Sequence, residues 1–351
     1  MKKKILIFVH TEYHLILAIN QILGIYNNPE LHDIELFIRR RVGGKRLTQE
    51  LDLSGLPVRA KYFNEEVTID KSLSQTARTA IQELLDFKPD VFIFFQEMDP
   101  LMAILAVHYS RNGAEVCLYQ DGLKPYVHVK FHSLGLIKHF HKQNLWMKKN
   151  GFPVESWLLP LWSQKYAYLK STQKVYLTFP EAYKNWNRKK LEKIEMIPIP
   201  ELNQALKKVF RWDDALLPER EKIIFYLNQP MHDDGVDEFR LLIDFQELFP
   251  ENKIYMKSHP HITKDKIELY KKLKNVEIID SPIPAELFIM NLYDSIIISM
   301  ISTAMFLNNP ENKYFYHYKL LENDLKRFKR YKICNPAPHI TAVEKLEDIA
   351  F

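Results

Sequence analysis

The chain has 351 residues, 46% of them hydrophobic and 26% charged, with a net charge of +5. That length accommodates two domains of ordinary size, and the composition excludes a disordered or fibrous chain. Only two cysteines are present, Cys117 and Cys334, which excludes a disulfide scaffold and a cysteine-rich zinc site and fits a reducing, cytoplasmic compartment.

The basic start leads into an apolar run, Ile5 to Val9, that is too short for a signal-peptide core. Residues 4–9 read instead as a strand buried on both faces. After the polar break His10-Thr11-Glu12, Tyr13 to Leu23 has helical periodicity. Strands are expected at 34–38, 91–95, 116–119 and 175–178, with helices at 72–87 and 102–109 between them. From Lys124 to Val154 there are six lysines and no acidic residue, interleaved with His128, His132, His139, His141 and aromatic side chains. This stretch, with Trp157 to Trp162 after it, reads as a face for anionic lipid, as an acceptor-binding insert, or as a solvated basic region over an aromatic mini-core. The proline-containing stretch 193–220 reads as the interdomain linker.

A second alternation follows. Strands are expected at 222–227, 253–256, 276–279, 295–299 and 313–318, and helices at 236–249, 267–273, 285–292 and from Ser302 to Leu307. Strands alternating with helices indicate parallel sheets covered on both faces. No stretch approaches the ~20 apolar residues of a membrane span. There are only 9 glycines, with neither GxGxxG nor GxxxxGK[ST], so the glycine-rich phosphate cradles are absent.

The chemistry-bearing residues fall at the carboxyl ends of expected strands, where ligands of open α/β sheets bind. In the first half these are His10, Thr11 and Asp121. Gly122 allows a tight turn that projects the Asp121 carboxylate, although an Asp-Gly turn is also a common surface feature. In the second half, Asn228-Gln229-Pro230 follows one strand. Lys257 and His259 follow the next and point to the same side of an extended segment, with Pro260 ending the strand. These two residues suit an anion, and they equally suit a surface turn. Ser299, Ser302 and Thr303 join a strand to a helix amino terminus, which is a phosphate seat or a plain cap. Glu286 lies in the first turn of a helix, stabilised by its dipole or poised to accept from ribose hydroxyls. No metal spacing is present among the histidines.

Three elements in this order, the Asp121-Gly122 turn, Lys257-x-His259-Pro260 and Ser302-Thr303, resemble the bacterial GT-B sialyltransferases of the lipooligosaccharide and capsule families. The similarity runs from the amino-terminal strand and its Thr11-Glu12-Tyr13 loop to about Leu307. Glu286 falls between the second and third elements, and Gln229-Pro230 resembles a turn that opens the second domain in some members. The resemblance implies an α/β, GT-B architecture: two Rossmann-like domains facing across a cleft, an acceptor-side domain over 1–200, a nucleotide-sugar domain over 215–330, and a segment 331–351 that crosses back to the first domain.

It further implies a metal-independent, inverting transfer, without a cofactor, from a CMP-sugar to a hydroxyl of a surface glycan, with sialic acid as the sugar. Asp121 would be the general base and His259 would assist departure of the phosphate. Lys257 and Glu286 would hold the nucleotide, and Ser302 and Thr303 the phosphate, with Ser299, Gln229, Thr11 and Gly122 lining the sites. Gln120 departs from the family, which usually has an acid before Asp-Gly; a partner that would orient the base is therefore expected to be missing. Related motifs occur in Kdo transferases and glycerophosphotransferases, so CMP-Kdo, a UDP-sugar or CDP-glycerol are alternative donors. A non-catalytic, membrane-attached capsule assembly protein is the alternative outside enzymes. Nucleic acid binding would leave the strand-end residues unexplained.

Overall fold

The apolar run at the amino terminus becomes an interior strand of a seven-stranded parallel sheet. The computed structural model describes residues 2–40, 47–69, 71–129, 134–155, 165–217, 222–229, 238–321 and 331–351. Contacts divide the chain into two units, Met1–Thr48 with Leu53–Pro198, and Gln49–Asp52 with Ile199–Phe351.

In the first unit the sheet strands are β1 (Lys3–Val9), β2 (His32–Arg39), β3 (Arg59–Phe63), β4 (Val91–Phe94), β5 (Glu115–Tyr119), β6 (Lys174–Leu177) and β7 (Lys190–Lys193). They lie in the order β3-β2-β1-β4-β5-β6-β7, every pair parallel. Ile5 to Val9 are completely buried, as a strand covered on both faces requires. Each such side chain contributes about 1.5–3 kcal/mol of burial.

The helices of this unit are α1 (Glu12–Gly24), α2 (Gln75–Asp86), α3 (Pro100–Arg111) and α4 (Leu134–Lys149). Their starts follow local chemistry. Thr11, Ser74 and Asp99 each accept a backbone N–H as N-caps, and Pro100 sits at the first helical position. The first turns of α1 and α3 therefore stand directly behind the carboxyl ends of β1 and β4.

In the second unit the strands β8 (Ile224–Leu227), β9 (Ile254–Lys257), β10 (Val276–Ile279), β11 (Ile296–Ser299), β12 (Lys313–Tyr316) and β13 (Ile340–Ala342) form a parallel sheet in the order β10-β9-β8-β11-β12-β13. Helices α5 (Ile199–Val209), α6 (Glu238–Leu248), α7 (Lys264–Tyr270) and α8 (Ala285–Met290) accompany it. Ile224, Tyr226, Leu242, Phe245, Met256 and Ile298 form part of its core. Taken from its own first strand, each sheet has the order 3-2-1-4-5-6 of a Rossmann fold, extended by one strand in the first unit. The order reverses between β1 and β4, and again between β8 and β11. Those two crevices are where a ligand is expected.

Three features differ from the sequence expectation. The stretch 193–220 contains the boundary between the two units, after Pro198, but its described residues are structured and do not form an extended linker. Asn20 of α1, fully buried, donates to the Glu195 carbonyl at 2.8 Å and accepts from the Ile197 N–H at 2.9 Å, which docks 195–197 on the first unit. Helix α5 follows at once and buries Leu202, Leu206 and Val209 at helical spacing. The basic-aromatic stretch contains a regular helix, α4, that buries Phe140, Trp146 and Met147. Finally, the residues after Ser302 form a short 3-10 helix, Thr303–Phe306, and not an α-helix. Pro230, the start of the helix expected from 236, and the parts of the basic stretch at 130–133 and 156–162 lie outside the described residues.

Candidate active site

In the first unit the sheet's reversal point carries a histidine–carboxylate pair. The Asp121 Oδ1 lies 3.0 Å from His14 Nε2. His14 is 1% exposed and Asp121 25%, so the carboxylate is the member presented to solvent. The ring is held from three directions. Its Nδ1 accepts the His10 backbone N–H at 3.4 Å, its face stacks on Phe95 at 4.3 Å and 10°, and its own backbone N–H is capped by Thr11. With Nδ1 occupied as an acceptor, the neutral ring is the Nε2–H tautomer and donates to Asp121. Burial raises the Asp121 pKa, but the hydrogen bond from His14, with the positive potential of His14, Lys124 and His10, outweighs it and holds the carboxyl below its usual range. Gly122 has φ +58°, the left-handed conformation that this turn needs and that favours glycine.

The partner that orients the carboxylate is thus His14, 107 positions away in sequence, and not residue 120. Gln120 is fully buried and has a different task. Its amide donates to the Tyr13 hydroxyl at 2.7 Å and accepts from Tyr126 at 2.6 Å and from the Thr178 N–H at 2.9 Å. That fixes helix α1 and the ends of β5 and β6 beneath the pair. Thr11 acts here as a helix cap.

A second acid at this edge was not anticipated. Glu97, just beyond β4, is completely buried and accepts the backbone N–H of Ala167 at 2.6 Å and of Leu169 at 3.4 Å. Burial pushes its pKa up to about 7, against the lowering effect of Lys124 and these N–H groups. A folded-state pKa above the unfolded value means that the folded form binds the extra proton between about pH 4.5 and 7. Its stabilising contribution is present at low pH and is lost as pH rises through 7, by about 3 kcal/mol. Relative to the parent, Glu97→Gln is therefore expected to gain thermal stability from pH 5 to pH 8. Equal melting-temperature differences at the two pH values would refute this. Nearby, a cavity of about 440 Å³ opens among Arg39, Val67, Ile69, Gln96, Asp99 and His139.

In the second unit, the Gln229 Nε2 donates to the Ile301 carbonyl at 2.6 Å, bridging the ends of β8 and β11 at the reversal point. His259 is tied through its backbone N–H to Asn228 Oδ1 at 3.2 Å. Its Nδ1 accepts the His261 N–H at 3.1 Å, which makes Nε2 the protonated nitrogen of the neutral ring. Lys257, 7% exposed, donates to the Ser281 carbonyl at 2.6 Å, and its ammonium lies 5.8 Å from the Phe288 ring on α8, the helix that carries Glu286. Glu286 is 6% exposed in the first turn of that helix. Ser302 caps the 3-10 turn by accepting the Ala304 N–H at 3.3 Å, which leaves its hydroxyl proton to donate, and Thr303 follows, half-buried. Ser299 departs from the expectation: it is completely buried and donates to the Leu227 carbonyl within the sheet at 3.4 Å, so it does not line the strand-end surface.

With this geometry in place, comparison with known proteins is informative. A family model for alpha-2,8-polysialyltransferases (POLYST) matches residues 6–316. The chain belongs to the alpha-2,8-polysialyltransferase family. Among solved structures, this family member is similar to the glycotransferase of kitacinnamycin, with a TM-score of 0.51 and 10% identity over 98% of this chain and 86% of that one. It is also similar to the GT-B domain of a sialyltransferase from Photobacterium damselae, with a TM-score of 0.48 and 10% identity over 90% of this chain and 91% of that one. A 2,6-sialyltransferase of Photobacterium sp. JT-ISH-224, solved with CMP and lactose, gives a TM-score of 0.49 and 11% identity over 90% of this chain and 71% of that one. No curated protein matches the chain in sequence. The polysialyltransferase-family chain is thus a sialyltransferase-like glycosyltransferase of GT-B fold, made of two Rossmann-like domains. Among its described residues no helix is long and apolar enough to cross a membrane.

Proposed function

We propose that the enzyme transfers sialic acid from a CMP-activated donor to a hydroxyl of a surface glycan, with inversion and without a metal. The observation that carries this reading is the His14–Asp121 pair, a carboxylate presented to solvent and oriented from behind by a fully buried histidine. In this reading Asp121 accepts the proton of the acceptor hydroxyl as it attacks. A low pKa suits that role when the bond to the leaving group is already largely broken, because proton transfer is then late. His259 donates a hydrogen bond from its Nε2–H to the departing phosphate and keeps the proton. Ser302 and Thr303 add hydroxyl donors, which stabilise the developing charge as a metal otherwise would. Lys257 and Glu286 hold the nucleotide, Gln229 sets the loop beside it, and Gly122 and Thr11 shape the acceptor side.

Calorimetry with CMP, CDP, UMP, UDP and GDP, without and then with magnesium, tests the donor. Preference for CMP in the absence of metal, lost in His259→Ala, is the expected result. Preference for a diphosphate would replace the donor assignment with a UDP-sugar or CDP-glycerol, and no binding at all would remove the nucleotide reading.

Helix α4 supports peripheral attachment to anionic lipid. Lys138, Lys142, Lys148 and Lys149 are exposed on it together with Leu134 and Leu145. Co-sedimentation with phosphatidylglycerol vesicles that is reversed by salt is expected. Equal recovery with neutral vesicles would refute it.

A further inference from the structure

One buried charge in the second unit has no part in the reading above. Glu238 opens α6 and is 2% exposed. Its carboxylate accepts four hydrogen bonds: from the Tyr226 hydroxyl at 2.9 Å, the Gln229 N–H at 3.4 Å, the Tyr270 hydroxyl at 2.8 Å and the Asn228 amide at 2.6 Å. All four donors are neutral groups. His317, completely buried and stacked on Tyr226 at 5.9 Å and 16°, supplies no counter-charge either, because burial pushes its pKa down to about 3. Among the described residues no cation meets this carboxylate, and a buried carboxylate in that setting persists where several donors converge on it.

The consequence of this arrangement lies one residue further out. Glu238 accepts from Asn228 Nδ2, so Asn228 Oδ1 must face the other way, and it accepts the His259 backbone N–H at 3.2 Å. The carboxylate therefore fixes which end of the Asn228 amide meets the loop after β9. It also holds the Gln229 N–H, while the Gln229 side chain reaches the segment after β11 through the Ile301 carbonyl. Three strand ends depend on one acceptor-only group. An amide in its place brings a donor into a ring of donors. The simplest escape turns Asn228 over and sets its NH₂ against the His259 N–H.

We propose that Glu238 is a positioning residue for nucleotide binding: it acts through the Asn228 amide to fix the backbone of His259, and hence the ring that meets the leaving phosphate. This rests on the proposed role of His259, and the experiment separates the two. CMP affinity is measured by calorimetry for the parent, Glu238→Gln, Asn228→Ala, the double variant and His259→Ala. Hydrogen exchange at the His259 amide is followed in the same proteins. Glu238→Gln is expected to weaken CMP binding about tenfold or more, the scale of a hydrogen bond to a charged group. It is also expected to speed exchange at His259 while exchange in β8 stays unchanged.

The double variant is expected to match Asn228→Ala alone, because the two residues act in series. Additive losses, or a folded Glu238→Gln with parental CMP affinity, would overturn the proposal. If Glu238→Gln does not fold, Asn228→Ala decides alone: parental affinity and parental exchange at His259 refute the inference. Parental CMP affinity in His259→Ala would instead defeat the functional reading beneath it.

Discussion

Asp121→Asn is expected to lower the rate of sialyl transfer from CMP-sialic acid by about 10²–10⁴-fold, the range for loss of a positioned general base. CMP affinity should stay within about twofold of the parent, since no nucleotide contact is assigned to Asp121 in the proposed mechanism. A parental transfer rate would remove Asp121 from the reaction. The variant that tests the support of this base is His14→Phe, which keeps an aromatic ring against Phe95 and deletes the hydrogen bond to Asp121 together with the long one from the His10 N–H. In the parent His14 helps to hold the Asp121 pKa down, so its removal raises that pKa. The base must be ionised to act, and the acid limb of the pH–rate profile therefore moves to higher pH in His14→Phe. An unmoved limb would mean that the pair is structural.

The second large effect concerns stability. Arg39 and Asp99 form an ion pair with both side chains 4% exposed, and Asp99 also caps α3 through the Leu101 N–H at 3.0 Å. Asp99→Ala leaves the guanidinium buried and uncompensated, a loss of about 3–5 kcal/mol. The missing cap adds about 1 kcal/mol. For a unit of this size the melting temperature is expected to fall by roughly 10 °C. Arg39→Met combined with Asp99→Asn removes the unpaired charge and retains an acceptor at the cap, so it should lose much less than Asp99→Ala. Calorimetric melting of the three proteins decides. A double variant as unstable as Asp99→Ala would show that the charge is not the cause.

The two α/β alternations were legible because parallel strands covered on both faces must be apolar throughout, as Ile5 to Val9 and Ile296 to Ile298 are. The elements that escaped detection lie where that demand is relaxed. Strand β3 is mostly exposed and β7 has no completely buried residue, and both are edges of their sheet. Prolines 198 and 200 suggested a linker, although proline is tolerated in the first turn of a helix such as α5. Asp121, His259 and Gln229 were legible in outline because strand ends converge on the crevices.

Their supports were not. His14 sits in the first turn of a mostly apolar helix, and its partner is distant in sequence. Glu97 and Glu238 are buried acids, which composition places at the surface. The one local hint was a polar pair ending an apolar stretch at a strand end, as Gln96-Glu97 does after Phe94-Phe95. Ser299 misled because it occupies a strand end but points along the ladder.

The two borders of the first sheet have a further consequence. Strands β3 and β7 expose backbone groups that could template another chain, yet both are densely charged. Arg59 pairs with Asp33 at 2.5 Å and Glu35 at 3.1 Å, Lys61 with Glu35 at 2.9 Å, and Lys190 with Glu192 at 2.6 Å. A second copy that docked edge to edge would have to strip water from these side chains and bring like charges together. The ion pairs contribute little to folding, since their basic members are more than half exposed. Their expected effect is on self-association, since charged edges of this kind oppose edge-to-edge growth of an open sheet.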